Sequence, residues 1–298
     1  MTAKKNSTPK QIVRVGLIQT ACSHDPAKNL KRAVTEIRLA AAEGAQIVCL
    51  EELFRTEYFC KTEEARHFDL AESIPGPTTE ALAKVARAGR VVIIASLFEK
   101  RERGVYHNTA VVIDADGKLL GKYRKMHIPD DPGFHEKFYF VPGDLGFPVF
   151  STRYAKVGVL ICWDQWFPEA ARLEALAGAD ILFYPTAIGW KTGQKREAAA
   201  YRSAWETVQR AHAISNGVFV AATNRVGREG GFTYWGNSFV ADPFGEVLYR
   251  ASDSQEEIVL ADCDLGKIEQ TRREWPFLRD RRIDAYDPIT SRVLAQKT

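Results

Sequence analysis

Short apolar runs alternate along this chain with longer segments in which apolar residues recur at helical spacing. Strand-length runs are predicted at 13–19, 47–50, 91–98, 106–114, 119–123, 157–161, 181–184, 218–223, 237–242, 247–250 and 257–263. Amphipathic helices are predicted at 27–43, 78–88, 168–178 and 197–216. Because strands and helices mix throughout, without a repeat or a linker, the pattern predicts an α/β layered fold with one domain over residues 11–298.

Cys162 lies where a buried strand, 157–161, gives way to a helix that opens at Pro168 and Glu169. Backbone N–H groups and the positive end of a helix dipole meet at such a position, and both favour a thiolate over a thiol. The position therefore favours a nucleophile. The alternative is that Cys162 is a small buried apolar residue, as free cysteine often is.

Two charged segments accompany this cysteine. The strand 47–50 runs into Glu51 and Glu52 and then into LF, a setting that suits a pocket better than a solvated surface. The segment GKYRKMHIP, 121–129, crowds basic residues including Lys125 after a strand pair that is joined at Asp116 and Gly117. Alone, it reads as a solvated basic loop. In the order carboxylate, lysine, cysteine, these residues complete a catalytic set.

The segments LEELF, YRKMH and GVLICWD resemble the nitrilase superfamily of carbon-nitrogen hydrolases, and they occur in the family's order. The resemblance extends from VGLIQT at 15–20 through NRVG at 224–227 to GNSFVADPFGEVL at 236–248. Within the superfamily, the stretches 128–144, 162–190 and 204–217 look most like N-carbamoylputrescine amidohydrolases. The resemblance implies a four-layer α-β-β-α sandwich and a homodimer or higher homo-oligomer joined through helices beside the cysteine strand.

The resemblance also implies roles for single residues. Cys162 corresponds to the nucleophile, Lys125 to the cation that stabilises the oxyanion, Glu52 to the general base and Glu136 to a second glutamate that orients the site. The backbone N–H of Trp163 is the expected second oxyanion donor. Glu51 stands where the superfamily often has proline, so it is the alternative to Glu52 as base.

The activity that follows is the hydrolysis of N-carbamoylputrescine to putrescine, carbon dioxide and ammonia, as in polyamine biosynthesis, without a cofactor. The alternatives are another carbon-nitrogen hydrolase, such as an N-carbamoyl amino acid hydrolase, β-ureidopropionase, aliphatic amidase or nitrilase, or a non-catalytic assembly protein. The intact glutamate, lysine and cysteine argue against the last of these.

Substrate recognition is expected to involve acids and aromatic rings near the motifs. Family members that accept carboxylates often place an arginine shortly after the cysteine, where this chain has Gln165 and Trp166. An ammonium tail could instead bind to carboxylates and to a π face. The candidate substrate-binding residues are Asp130, Asp131, Asp164, Trp166 and Trp190. The alternative is that these acids pair with neighbouring cations such as Arg124, Lys125 or Lys137.

Neighbouring ligand-type residues raise the question of a metal. They are His127, Asp130, Asp131, His135 and Glu136. No HExxH or paired CxxC spacing is present, so we expect no metal site. A Cys–His pairing, with His127, His135 or His212 as the base, stays open from the residues alone.

The amino-acid composition narrows the classes of protein to which this chain could belong. The 298 residues are 45% hydrophobic and 27% charged, with a net charge of +3 and mixed signs, which gives no footprint for nucleic acid or membrane. Five scattered cysteines indicate neither a disulfide framework nor a metal cage and favour a reducing, cytoplasmic location. Residues 1–10 are expected to form a disordered leader. For the segment at about 275–298, the family resemblance implies an arm that crosses a partner subunit, and the alternative is a solvated tail.

Overall fold

Two six-stranded sheets form the centre of the computed structural model, which describes residues 11–191, 193 and 195–294. The strands are β1 Ile12–Gln19, β2 Ile47–Leu50, β3 Val92–Glu102, β4 Val105–Ile113, β5 Leu119–Arg124, β6 Asp130–Asp131, β7 Phe134–His135, β8 Val149–Ser151, β9 Lys156–Val159, β10 Ile181–Thr186, β11 Gly189–Lys191, β12 Phe219–Asn224, β13 Val226–Glu229, β14 Phe232–Trp235, β15 Phe239–Ala241, β16 Val247–Arg250 and β17 Glu257–Asp264. The helices are α1 Pro26–Ala42, α2 Pro77–Gly89, α3 Glu136–Tyr139, α4 Pro168–Leu176, α5 Lys195–Asn216 and α6 Gly266–Glu274.

The first sheet has the order β17-β1-β2-β3-β4-β5, and the second has the order β16-β15-β12-β10-β9-β8. Strands β1, β2 and β3 are mutually parallel, as are β9, β10 and β12. Two small sheets, β11-β14-β13 and β6-β7, lie outside this frame. The predicted leader, 1–10, and the last four residues of the predicted arm lie outside the described residues.

The side chains of β2 show how the layers form. Ile47 and Cys49 belong to a core built from strands of both large sheets, whereas Val48 and Leu50 belong to a core shared with α1 and α2. Successive side chains of a strand point to opposite faces, so an uninterrupted apolar run buries both faces of the sheet. On the far side, α5 packs on β12 and α4 packs on α5. The result is the expected α-β-β-α sandwich.

Most predicted elements lie where expected, and β2 and β16 have the predicted bounds. The structure adds β8, the small sheets, α6 and a 3-10 helix at Cys162–Trp166 that the sequence pattern did not indicate. The helix predicted at 168–178 ends at Leu176. Short strands with glycine and polar residues carry too little periodicity to be recognised. No helix in the described part of the chain is long and apolar enough to cross a bilayer.

A buried ion cluster fixes the end of β5, directly before Lys125. Arg124 donates from Nε and Nη2 to the two carboxylate oxygens of Glu99, each at 2.8 Å. Lys122 Nζ lies 2.5 Å from Glu99 Oε1, and Thr109 Oγ1 donates to Oε2 at 2.6 Å. Burial acts to raise the pKa of Glu99, but the hydrogen bonds from Arg124, Lys122 and Thr109 lower it to about 2.

Glu99→Gln is expected to lower the free energy of unfolding by about 3 kcal/mol at neutral pH, because the buried Arg124 and the partly buried Lys122 lose their shared carboxylate. The folded-state pKa of Glu99 is depressed from an unfolded value of about 4.3, so its stabilisation is complete above that value and is lost as the pH falls toward about 2. Denaturant unfolding at successive pH values measures this dependence. Glu269→Gln, at an exposed position on α6, is the control, and an equal loss there would contradict the assignment.

Candidate active site

The carboxyl ends of strands from both large sheets deliver the predicted catalytic side chains to one place. Glu52 lies two residues beyond β2, Lys125 directly follows β5, and Cys162 lies three residues beyond β9. Glu136 opens the short helix α3. Sites of α/β proteins commonly form at the carboxyl ends of their strands, where loops can bring polar groups together without interrupting the sheet.

Lys125 connects the two glutamates. Its Nζ lies 2.9 Å from Glu52 Oε1 and 2.8 and 2.7 Å from the two carboxylate oxygens of Glu136, and all three side chains are buried. Burial opposes the positive charge, but the carboxylates of Glu136 and Glu52 outweigh it and raise the pKa of Lys125 well above its usual range. The lysine is therefore a fixed cation inside the protein.

The structure places the two consecutive glutamates in different surroundings. Besides Lys125, Glu52 accepts hydrogen bonds from Asn108 Nδ2 at 2.7 Å and from the Ala187 N–H at 3.0 Å. Glu51 instead accepts from Thr20 Oγ1 at 2.8 Å, and burial raises the pKa of its carboxyl. Glu52 therefore faces the lysine and Glu51 does not.

Cys162 opens the 3-10 helix Cys162–Trp166 with a φ of 45°, in the left-handed region that favours glycine. Non-glycine residues held there are strained, and such strain concentrates at functional sites. Burial raises the pKa of the Cys162 thiol well above its usual range, and the charge of Glu52 adds to this effect, while Lys125 opposes it. This direction is opposite to the one expected from the helix start, and it favours the thiol over the thiolate.

Glu136 has a hydroxyl partner that the sequence did not indicate. Tyr58 donates its hydroxyl hydrogen to Glu136 Oε1 at 2.6 Å. Burial raises the pKa of the Glu136 carboxyl, and the charge of Lys125 opposes that shift. Tyr58 and Lys125 thus hold the second glutamate from two sides.

A cavity of about 170 Å³ gives access to two of these groups, Cys162 and Glu136. Cys162 and Glu136 supply its reactive part, and the aromatic side chains of Trp163, Trp166 and Trp235 line its walls. It is also lined by Pro129, Phe134, Ile188, Gly189, Tyr201 and Ala204. Such walls favour a narrow aliphatic or planar substrate and exclude bulk water from the thiol.

The predicted substrate-binding residues are only partly brought to this cavity. Trp166 lines it, whereas Trp190 stacks on Trp235 at 5.4 Å between ring centroids and lines an adjoining outer pocket of about 270 Å³. Asp130 and Asp131 form the exposed strand β6 and line neither space.

Asp164 was expected to bind substrate, but its carboxylate has other contacts. Its Oδ1 accepts from the His127 N–H at 2.9 Å and lies 2.7 Å from His127 Nδ1, and its Oδ2 accepts from the Tyr123 hydroxyl at 2.8 Å and the Ile161 N–H at 2.9 Å. These four contacts use the acceptor capacity of a carboxylate. Asp164 thus fixes the turn that carries Cys162 and is not available to bind an ammonium group.

The histidines that were alternative bases lie elsewhere. His127 contacts Asp164, His212 Nε2 lies 2.8 Å from the Gln165 carbonyl oxygen, and neither lines the cavity. His135 is partly exposed, with Nδ1 3.9 Å from Asp130 Oδ1. Among the described residues, no group of three or more His, Cys, Asp or Glu side chains is arranged to hold a metal ion.

Several residues of the site carry no recognisable sequence signal. Asn108 lies in the middle of β4, and Tyr201 lies on the side of α5 that borders the cavity. Arg225 is fully buried behind Glu52, although its segment NRVG is part of the family resemblance. Their roles depend on tertiary contacts between distant segments, which local patterns do not report.

Comparisons with known proteins agree on a family. The family model for carbon-nitrogen hydrolases matches residues 14–273. The N-carbamoylputrescine amidase of Solanum lycopersicum is 44% identical over 293 residues, which cover 95% of each chain. The citrullinase of Francisella tularensis subsp. tularensis is 42% identical over 284 residues, 93% of this chain and 98% of that protein.

Comparison of the fold with solved structures indicates the same family. The crystal structure of a carbon-nitrogen hydrolase from Helicobacter pylori G27 superposes with a TM-score of 0.92 and 47% sequence identity. The match covers 95% of this chain and 100% of that one. The chain therefore belongs to the carbon-nitrogen hydrolase family of the nitrilase superfamily and is a hydrolase of carbon–nitrogen bonds other than peptide bonds.

Proposed function

We propose that this enzyme hydrolyses N-carbamoylputrescine to putrescine, carbon dioxide and ammonia. The observation that carries the proposal is a cavity lined by Cys162 and Glu136, with a fully buried lysine held between Glu136 and Glu52 close enough for its charge to act on the thiol. A urea carbonyl is deactivated by two nitrogens, so its hydrolysis needs a strong nucleophile, a fixed positive charge near the oxygen and a proton for the leaving ammonia. The similarity to N-carbamoylputrescine amidases over most of the chain supports this choice of substrate.

In the first half-reaction, Cys162 Sγ forms a bond to the carbamoyl carbon while Glu52 takes the thiol proton. A base assists this step because burial favours the thiol over the thiolate. Lys125 and the backbone N–H of Trp163 stabilise the oxyanion. Glu52 then passes its proton to the leaving nitrogen, the carbon–nitrogen bond breaks, and ammonia and a carbamoyl thioester result.

In the second half-reaction, Glu52 takes a proton from a water molecule that attacks the thioester carbon. The carbon–sulfur bond breaks, the proton returns to Cys162, and the carbamate that is released decomposes to carbon dioxide and the free amine. Glu136 holds Lys125 in place through two hydrogen bonds, and Tyr58 holds Glu136. Every proton that moves is supplied by the thiol or by water, so the scheme balances without a cofactor.

The cationic tail of the substrate is assigned to the mouth of the cavity. Tyr201 lines both the inner cavity and the outer pocket, and its hydroxyl donates to Glu197 Oε2 at 3.2 Å. The aromatic walls between Cys162 and Tyr201 suit a butyl chain. Glu197 lines neither space itself, but its hydrogen bond to Tyr201, which lines both, places a negative charge next to their shared wall for an ammonium group. Glu197 replaces Asp164 in this role, because the oxygens of Asp164 are already occupied.

Wild-type enzyme is expected to prefer N-carbamoylputrescine over N-carbamoyl-β-alanine by about 100-fold in kcat/KM, which corresponds to about 3 kcal/mol of differential transition-state binding. Glu197→Gln is expected to reduce that ratio by about 10-fold, since one tail contact changes and the reacting groups do not. Both substrates carry the same carbamoyl group, so ammonia release with each isolates recognition of the tail.

N-carbamoylbutylamine, which lacks the charge, should react equally with wild type and Glu197→Gln. Glu206→Gln, on the same helix but paired with Arg250 outside the cavity, is the matched control. Equal use of the cationic and anionic substrates by the wild type would contradict the proposed substrate.

Citrulline is the second candidate substrate. It carries the same carbamoyl group on an amine that also bears an α-carboxylate, and Lys191 lines the outer pocket beside Tyr201, where it could pair with that carboxylate. The 42% identity to a citrullinase favours testing it. A kcat/KM for citrulline above that for N-carbamoylputrescine would move the assignment to citrulline.

We further propose that the enzyme is cytoplasmic and acts in polyamine synthesis as a homodimer or higher homo-oligomer. All five thiols are free, which suits a reducing compartment. Apolar side chains are exposed on α4 and on the C-terminal segment, where a second copy could cover them. They are Leu173, Leu176, Ile283, Ile289, Val293 and Leu294. No other macromolecular partner is proposed.

A further inference from the structure

The segment between β2 and the 3-10 helix Phe59–Lys61 carries two groups of the site. Glu52 stands at its start, and Tyr58, which binds Glu136, stands at its end. Between them Leu53 has a φ of 51°, a conformation that side chains other than glycine rarely adopt. A segment with such a backbone needs contacts that hold it, and they come from a different part of the fold.

Arg225, directly after β12, provides contacts at the start of the segment. Its Nη2 donates to the carbonyl oxygens of Glu52 at 2.8 Å and Leu53 at 3.3 Å, and its Nη1 donates to that of Thr56 at 3.1 Å. The side chain is fully buried and does not line the cavity. One guanidinium thus binds three backbone carbonyls in the loop of the proposed base.

Glu229, at the end of β13, provides the contact at the other end. Its Oε1 accepts from Arg225 Nη1 at 2.6 Å, and its Oε2 accepts from the Tyr58 N–H at 2.8 Å. The Arg225–Glu229 ion pair therefore joins the start of the segment, through Glu52, to its end, through Tyr58. Lys61 Nζ lies 3.5 Å from the same carboxylate and offsets part of its charge.

We propose that the Arg225–Glu229 pair is a positioning device for catalysis, which sets Glu52 directly and sets Lys125 through Tyr58 and Glu136. This inference rests on the proposed role of Glu52 as the base. A misplacement of about 1 Å at a catalytic group can reduce the rate by about 100-fold, so a pair that touches no substrate can control the rate of the reaction. Arginine is required because a lysine presents no planar fork and cannot bind three carbonyls and a carboxylate together.

The test uses Arg225→Lys and Glu229→Gln in the full chain. In both variants kcat for N-carbamoylputrescine, normalised to the Cys162 thiols that iodoacetamide can titrate, is expected to fall by about 10 to 100-fold, with KM changed by less than about 3-fold. The rate of Cys162 alkylation and its pH profile form a second readout that needs no substrate. Alkylation at neutral pH is expected to slow by about 10-fold, because a displaced Glu52 removes the thiol proton less effectively.

Asp242→Asn is the matched control. Asp242 is a buried carboxylate that pairs with Lys267 and accepts from the N–H groups of Phe244 and Glu246, away from the cavity. Its loss is expected to lower stability and leave kcat per titrated thiol unchanged. If Arg225→Lys does not fold, the kcat and the alkylation rate of the isosteric variant Glu229→Gln provide the test.

A kcat per titrated thiol and an alkylation rate within about 2-fold of wild type in the folded variants would overturn the positioning role. A wild-type enzyme that is alkylated at Cys162 but does not hydrolyse N-carbamoylputrescine would overturn the proposed substrate. That second outcome leaves the alkylation test of the ion pair in force, so the two failures are distinguishable.

Discussion

Cys162→Ala is expected to reduce kcat/KM for N-carbamoylputrescine by about 10,000-fold or more, because the reaction loses the atom that forms the thioester. Cys162 is the cysteine that lines the described cavity, and the charges of Glu52, Lys125 and Glu136 act on it. The substitution removes one sulfur atom and keeps the Cβ atom, so it adds no backbone strain at this position. The fold should therefore be retained. Ammonia release and thermal unfolding together separate lost chemistry from lost structure.

Cys60→Ala is the matched control for this experiment. Cys60 is fully buried, and burial raises the pKa of its thiol well above the usual range. The charges of Glu136, Glu52 and Lys125 act on Cys60 as they act on Cys162. It does not line the cavity. It should therefore keep its activity, and mass spectrometry should locate iodoacetamide on residue 162. Turnover by Cys162→Ala at the wild-type rate would contradict the proposed mechanism.

Glu52→Gln is expected to reduce kcat by about 1,000 to 10,000-fold, whereas Glu51→Gln should cost less than about 10-fold. The amide oxygen of glutamine can replace Oε1, which accepts from Lys125 and Asn108, but the NH2 group that replaces Oε2 cannot accept from the Ala187 N–H. The amide also cannot carry a proton between the thiol, the leaving nitrogen and water. Glu51 faces Thr20 instead, away from the lysine. Steady-state kinetics on both variants gives the ranking.

The Glu51→Gln variant controls for the loss of a buried negative charge at the neighbouring position. Burial raises the pKa of the Glu51 carboxyl, and its Oε2 has no hydrogen-bond partner among the described residues, so an amide is tolerated there at modest cost. A larger loss of activity in Glu51→Gln than in Glu52→Gln would assign the base to the other residue.

Most strands of the two large sheets could be predicted because their side chains obey a local rule. β2 is apolar at every position, since Ile47 and Cys49 face the second sheet while Val48 and Leu50 face helices. The run is short and stands between polar residues, Gln46 before it and Glu51 after it. The order of Glu52, Lys125 and Cys162 along the chain was equally accessible, because each lies within three residues of the end of a recognisable strand.

The rest of the site depends on contacts that a local pattern does not contain. The carboxylate of Asp164 resembles a substrate ligand in sequence, but its four contacts come from residues that the fold places around it. The pKa of Cys162 was expected to fall because of a nearby helix start, whereas burial and Glu52 raise it. Desolvation depends on every atom packed around the sulfur, and the sequence near Cys162 does not specify those atoms.

The distribution of the reactive groups over the two sheets has a consequence for the newly made chain. Glu52 and Lys125 follow strands of the first sheet, and Cys162 follows a strand of the second. Neither sheet alone holds a nucleophile together with its base and counter-charge. Packing of the two sheets against each other therefore assembles the catalytic set, and a chain whose sheets have not yet packed together lacks it.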